Sequence, residues 1–260
     1  MYAKKSLGQH FLKSERALTK IVEAGEISPG ETVLEIGPGT GTLTEKLLKT
    51  GVKVIAVEKD DNLFEFLKNK FQSQNLELVH DDILNFDTAL IDVRYKVVAN
   101  IPYNLTGIIL EKFLSTENQP ERMVLLVQKE VAERIVAGRL PTGRQGKESI
   151  LSISVKAYGE PKYIEKVLAG SFTPAPQVDS AIISIANISK KFFSDFSEKF
   201  FFTLLKAGFK SKRKKLSSNL STLASKEKTL EIFEKLGLDP NLRAENVSVE
   251  LWRELATLFG

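Results

Sequence analysis

A regular alternation of short apolar runs and amphipathic stretches fills the first two-thirds of the chain, and it constrains the fold more than any other feature. "TVLEI" (32–36), "KVIAV" (53–57), "LELVH" (76–80), "KVVAN" (96–100) and "RMVLLVQ" (122–128) have the length and β-branched content of buried strands. Between them "TLTEKLLKT", "DNLFEFLKNKF" and "TGIILEKFL" repeat apolar residues at helical spacing. Strand–helix alternation at this period predicts βαβ units and a parallel sheet covered on both faces. After "KEVAERIVAG", the polar, turn-forming "RLPTGRQGKES" predicts an exposed loop, and "PKYIEKVLA" and "SAIISIA" (180–186) predict two further strands. Near residue 188 the texture changes. "SDFSEKFFFTLLKAGF", "RKKLSSNLSTLA", "EKTLEIFEKLGL" and "SVELWRELATLF" all carry helical periodicity, several with Ser or Asp at the start. The expectation is an α/β domain over 1–187 and a smaller all-helical domain over 188–260.

Composition narrows the chemistry. With 260 residues and 42% hydrophobic content the chain can bury a full core. It has no cysteine, which removes disulfides, thiolate metal sites, iron–sulfur clusters and a cysteine nucleophile. His10 and His80 are the two histidines, so a histidine metal site is not expected either. No segment approaches the length of a membrane span or signal core, and a cytoplasmic protein is the expectation. The basic excess is unevenly placed. From Ile188 onward there are 14 Lys and Arg against 9 Asp and Glu, whereas the rest of the chain is nearly balanced. The density peaks in "KSKRKK" (Lys210 to Lys215). Such a block reads either as a solvated helix face or as an electrostatic footprint for nucleic acid.

Three strand ends carry ligand-binding signals. "EIGPGTG" (Glu35 to Gly41) follows the first strand and opens a helix, where glycines such as Gly37 and Gly39 admit a ligand close to the backbone. "VEKD" places Glu58 at the end of the second strand, where an acid can accept both hydrogens of a ribose diol. In "HDDIL", Asp82 is positioned to accept from an adenine amine, the alternative being that Asp81 and Asp82 cap the following helix. The glycine spacing is not that of the nicotinamide fingerprint, and no Walker Lys-Ser/Thr follows. Successive strand ends of this kind fit S-adenosylmethionine better than a dinucleotide.

A fourth strand end, "VVANIPYNL" (Val97 to Leu105), runs from a buried strand into an amide, a proline and a phenol. Methyl transfer to the exocyclic amine of adenine requires the nitrogen to pyramidalise, because its lone pair is delocalised into the ring. Asn100 offers a side-chain carbonyl to the amine's hydrogens, and Ile101 a backbone carbonyl exposed by the extended chain before Pro102. Tyr103 offers an aromatic face for a flipped base. An asparagine does not act as a general base, so the chemistry is electrostatic grip and proximity, with the proton lost afterwards. The plainer reading has Asn100 capping a helix and Tyr103 packing on the sheet.

With these residues in place, the chain resembles the ribosomal RNA adenine dimethyltransferases of the KsgA type over essentially its whole length. The matching stretches are "SLGQHFL", "EIGPGTGTLT", "VEKD", "DDIL", "NIPYNLT", "LLVQKEVAERI", "SFTPAPQVDSAI" and "LRAENVSVELWRELA". The resemblance implies a Rossmann-like S-adenosylmethionine-dependent methyltransferase sheet with a C-terminal helical RNA-binding domain. It implies dimethylation of the N6 amines of two adjacent adenosines near the 3′ end of 16S rRNA in the small ribosomal subunit, by a monomer without metal. It further implies that His10, Leu12, Gly37, Gly39, Glu58, Asp82 and Asn100 contact the methyl donor. Tyr103 and Phe172 would sandwich the target adenine, and Lys210, Lys212, Arg213, Lys214 and Lys215 would meet RNA. The chain departs from the family at Gln177, where Lys is more usual, in the run "KSKRKKL", and in a longer, more basic loop over 138–149. The alternatives are a 23S rRNA adenine methyltransferase of the macrolide-resistance type, a non-catalytic ribosome assembly factor and a DNA adenine methyltransferase. The C-terminal "GLDPNLRAENVSVELWRELA" favours the small-subunit enzyme.

Overall fold

The computed structural model describes residues 9–137 and 146–260. Most of the expected basic loop over 138–149, and the first residues of "SLGQHFL", lie outside the described residues. The chain forms two compact units, one of residues up to Ala132 with Glu160–Ile188, the other of Glu133–Gly159 with Ser189–Gly260.

The first unit runs β1 (Phe11–Leu12), α1 (Glu15–Ala24), β2 (Thr32–Ile36), α2 (Thr42–Leu48), β3 (Lys53–Glu58), α3 (Asp61–Lys70), β4 (Leu76–His80), β5 (Tyr95–Asn100), α4 (Thr106–Ser115) and β6 (Arg122–Gln128). After α5 (Lys129–Ile135) and α6 (Ile150–Tyr158) it resumes with β7 (Glu160–Val167), β8 (Phe172–Thr173) and β9 (Ser180–Ala186). Seven strands form one sheet in the order β4-β3-β2-β5-β6-β9-β7. The first five in that order are mutually parallel, each neighbouring pair in register, as with Leu34 beside Ile55 and Val97. The expected all-parallel sheet is corrected at the other edge, where β9 pairs antiparallel with both β6 and β7. A short return between β7 and β9 joins antiparallel neighbours without the helical crossover that parallel strands need.

Burial follows the layer logic. The residues of β2 are all buried and those of β5 nearly so, whereas the edge strands β4 and β7 are partly exposed and carry charges such as Lys162 and Lys166. One core cluster joins Val33, Val54, Val98 and Val124 on the sheet with Leu18 and Ile21 of α1 and Leu43 and Leu47 of α2. The N-cap side chains of Ser14 and Asp60 accept backbone amides at the starts of α1 and α3.

The second unit contains α6, α7 (Glu198–Gly208), α8 (Leu216–Leu220), α9 (Lys226–Lys235) and α10 (Val249–Phe259). α6 belongs to it although residues 133–159 precede β7 in the chain. It has a Ser149–Ser152 capping box, and Ile153 and Ala157 enter a core with Phe201, Leu205, Trp252 and Leu255. Gly208 is required there, since a Cβ would sit 2.3 Å from the Trp252 ring. Among the described residues no helix is long and apolar enough to cross a membrane.

Candidate active site

The order of the sheet reverses between β2 and β5, the place where open α/β sheets bind ligands at the carboxyl ends of their strands. A cavity of about 310 Å³ lies there. Gly37, Gly39, Glu58 and Asp82 line it from the β2, β3 and β4 ends, and Asn100 and Tyr103 line it from the β5 end. His10 and Leu12 complete the wall. The structure thus brings together eight of the nine residues assigned to the methyl donor and target base, and leaves out Phe172.

The glycine loop is fixed by its conformation. Gly37 and Gly39 both have left-handed φ, near +61° and +60°, and a Cβ on Gly39 would approach the Phe11 ring to 3.1 Å. At Gly37 a Cβ would meet no protein atom within 4 Å, so its bareness is turned to the cavity rather than to packing. Glu58 is 5% exposed; one carboxylate oxygen accepts the Gly39 amide at 3.1 Å and the other the Asp60 amide at 2.9 Å. Burial raises its pKa, and those two amides oppose the rise. Each oxygen retains a lone pair for a ribose hydroxyl. Asp82 accepts the Leu84 amide and pairs with Lys59 at 2.7 Å, which holds its pKa below the usual carboxylate value. Residues 83–85 form a turn and not the helix that the capping alternative required, so Asp82 steadies that turn from its place on the cavity wall.

At the β5 end the Asn100 amide nitrogen donates to the carbonyl of His10 at 3.0 Å. A carbonyl can only accept, so this bond fixes which way the amide points and leaves its oxygen as the acceptor not used by His10. The Tyr103 hydroxyl shares a 2.6 Å hydrogen bond with the hydroxyl of Ser180, the buried first residue of β9. Burial raises the Tyr103 pKa against that bond, so the phenol stays neutral. The His10 ring lies nearly parallel to the Tyr103 ring at 6.0 Å, and its Nδ1 donates to the carbonyl of Pro174 at 2.8 Å.

Phe172 is placed differently from the expectation. In the proline-rich "SFTPAPQ", β8 pairs antiparallel with β1, setting Phe172 opposite Leu12. Both prolines lie beyond this pair, so they remove no amide from it. The Phe172 ring is 3% exposed and belongs to the hydrophobic core with Leu12 and Leu18.

The basic block is likewise not a helix face. Lys210, Lys212, Arg213, Lys214 and Lys215 lie in the turn between α7 and α8, are exposed, and make no ion pair among the described residues.

Three cavity neighbours escaped the sequence reading. Lys59 and Ser180 had no signal, since each acts through a partner distant in sequence. Glu35 had one: it is an acid in the middle of "TVLEI", a strand buried along its length. It is 1% exposed, lines the cavity, and its Oε2 has no hydrogen-bond partner among the described residues. Burial pushes its pKa up to about 8. A bare glycine loop, a carboxylate at the β3 end and an orphaned buried carboxyl oxygen fit an adenosine ligand with a cationic sulfur.

The family model for ribosomal RNA adenine dimethylase matches residues 1–259. The ribosomal RNA small subunit methyltransferase A of Dehalococcoides mccartyi is 43% identical over 99% of this chain and 88% of its own. The protein of the same name from Fusobacterium nucleatum is 40% identical over 98% and 97%. Among solved structures, a dimethyladenosine transferase from Plasmodium falciparum superposes with a TM-score of 0.80 at 28% identity, covering 95% of this chain and 96% of that one. The 23S rRNA methyltransferase ErmE gives 0.77 at 24% identity, covering 96% and 99%, a likeness of fold. The chain belongs to the ribosomal RNA adenine dimethylase family.

Proposed function

We propose that this protein dimethylates the N6 amines of two adjacent adenosines near the 3′ end of 16S rRNA, within the small ribosomal subunit, as a cytoplasmic monomer that takes part in subunit maturation. The observation that carries the reading is the Asn100–His10 bond, which leaves an amide oxygen at the carboxyl end of β5, in the cavity that the glycine loop and Tyr103 also line. S-adenosylmethionine, when bound, supplies an electrophilic methyl group on a positively charged sulfur. Glu58 holds the ribose diol and Asp82 the adenine amine of that donor, with Gly37 and Gly39 admitting it against the backbone. Asn100 Oδ1 and the Ile101 carbonyl accept the hydrogens of the target amine and favour its pyramidal geometry. Tyr103 stacks on the target base, its plane held by Ser180. The departing proton leaves after methyl transfer, since no group here needs to act as a base. The exposed cations of the α7–α8 turn bind RNA phosphates.

The test is transfer of labelled methyl groups to small subunits, large subunits, naked 16S RNA and DNA side by side. Label confined to the small subunit or its RNA supports the reading; label in the large subunit or in DNA overturns it.

A further inference from the structure

We infer that Glu35 senses the charge of the methyl donor: it is protonated before the donor binds, releases its proton as the sulfonium enters, and thereby discriminates S-adenosylmethionine from S-adenosylhomocysteine. This rests on the cofactor reading above and adds to it a residue and a proton.

Glu35 is the next-to-last residue of β2, immediately before the glycine loop. Its side chain borders the cavity and its Oε2 is buried without a hydrogen-bond partner among the described residues. A buried carboxylate that serves packing or stability normally has a cation beside it, because an unpaired buried charge is expensive. Among the described residues no cation pairs with it. From α2 it is faced by Thr44, which opposes the upward shift but whose own hydroxyl is also orphaned. From β3 it is faced by Glu58, which adds to the shift. On its other side β5 runs through Val97, Val98 and Ala99, all apolar and buried. Lys59, a cation on the cavity wall, is committed to Asp82.

An acid so placed keeps its proton near neutral pH, in keeping with the pKa of about 8. The cation it lacks is one the donor brings. S-adenosylmethionine carries a sulfonium, an ammonium and a carboxylate; after methyl transfer the sulfur is a neutral thioether, and the net positive charge is gone. When the sulfonium compound binds, the Glu35 O–H bond breaks, the proton passes to solvent, and the carboxylate balances the added charge. With the thioether there is no such charge to balance, and the proton stays. Product is then held less tightly than substrate, and the difference shrinks as pH falls below neutral, because protons compete at this one group against the sulfonium compound alone.

Calorimetric titration of each compound into the full-length protein near pH 7, in two buffers of different ionisation enthalpy, counts the protons. The expected result is release of close to one proton with S-adenosylmethionine and close to none with S-adenosylhomocysteine. The affinity for S-adenosylmethionine should rise by up to about tenfold per pH unit between pH 6 and 7.5. Glu35→Gln should abolish the release and flatten that slope. Tight S-adenosylmethionine binding without proton release, or equal release with both compounds, overturns the inference and leaves the cofactor reading standing. Failure of the wild-type protein to bind either compound overturns both. The wild-type proton count decides the matter even if the variant does not fold.

Discussion

The side chain of Asn100 ends in a nitrogen and an oxygen, and the carbonyl of His10 determines which one is left over. An acceptor remains where an amine must be gripped, and the aromatic face of Tyr103 lies on the same cavity wall. After a first methylation the target amine keeps one hydrogen and satisfies one acceptor. On the roles proposed for Tyr103 and Asn100, stacking holds the base more in the second step, and Asn100 acts more in the first. Tyr103→Ala should accumulate N6-monomethyladenosine, a population that mass spectrometry of digested RNA would count during single turnover; equal slowing of both steps would contradict this division. Phe172 lies in the hydrophobic core and is not on the cavity wall. Its removal should cost about 3–5 kcal/mol of stability, the range for truncating a buried phenylalanine, read by urea denaturation. An unchanged midpoint with lost methylation would return the ring to the base. At this scale the places of Asn100, Tyr103 and Glu58 on the cavity wall were legible, because polar and aromatic residue types stand out beside a buried strand end. Phe172 and Ser180 were not, since a two-residue strand pair and one hydroxyl bond leave no period in the sequence.

Elements longer than a turn were legible wherever their apolar spacing was unbroken, as in β2 to β6 and in α7, α9 and α10. α6 was not among the expected elements: "ILSISVKAY" is apolar and β-branched, without a clear helical period, and its capping box marks its start as a helix. The antiparallel β7–β9 edge was missed because periodicity reports strands and not their direction. The turn between α7 and α8 concentrates cations without acidic partners among the described residues, which suits a phosphate backbone better than a salt-bridged surface. Replacing Lys212, Arg213, Lys214 and Lys215 by Gln should weaken RNA binding. It should also lower the slope of log affinity against log salt by up to about 3–4, with donor affinity unchanged. An unaltered salt slope in filter-binding or fluorescence titrations would make the turn a merely solvated one.

For the molecule as a whole, the division into an α/β part and a helical part was legible in the change of texture near residue 188. The participation of residues 133–159 in the helical unit was not, because tertiary contacts alone assign them. Glu35 gives the α/β unit a pH signature that no sequence pattern announces. Its folded-state pKa, about 8, lies above the ordinary 4.5, so the unfolded chain ionises first as pH rises. Its contribution to stability is then complete below about pH 4.5 and is lost as pH climbs through about 8. Relative to Glu35→Gln, the donor-free wild-type protein should lose stability between pH 5 and 8 with a slope of up to about 1.4 kcal/mol per pH unit. A pH-independent difference between the two in denaturant melts would contradict it.

The central claim is that Asn100 at the β5 end makes this fold an adenine N6 dimethyltransferase of small-subunit RNA. Nucleoside mass spectrometry of mapped 16S RNA fragments, after incubating small subunits with S-adenosylmethionine and either wild-type or Asn100→Ala protein, tests it most directly. The expected result is N6,N6-dimethyladenosine at two adjacent positions near the 3′ end with wild type, and at least about a hundredfold slower appearance of both methyl groups with the variant, the scale for losing a donor or acceptor aimed at the reacting atom. Unmodified adenosines after wild-type treatment, or wild-type rates with Asn100→Ala, would contradict the account.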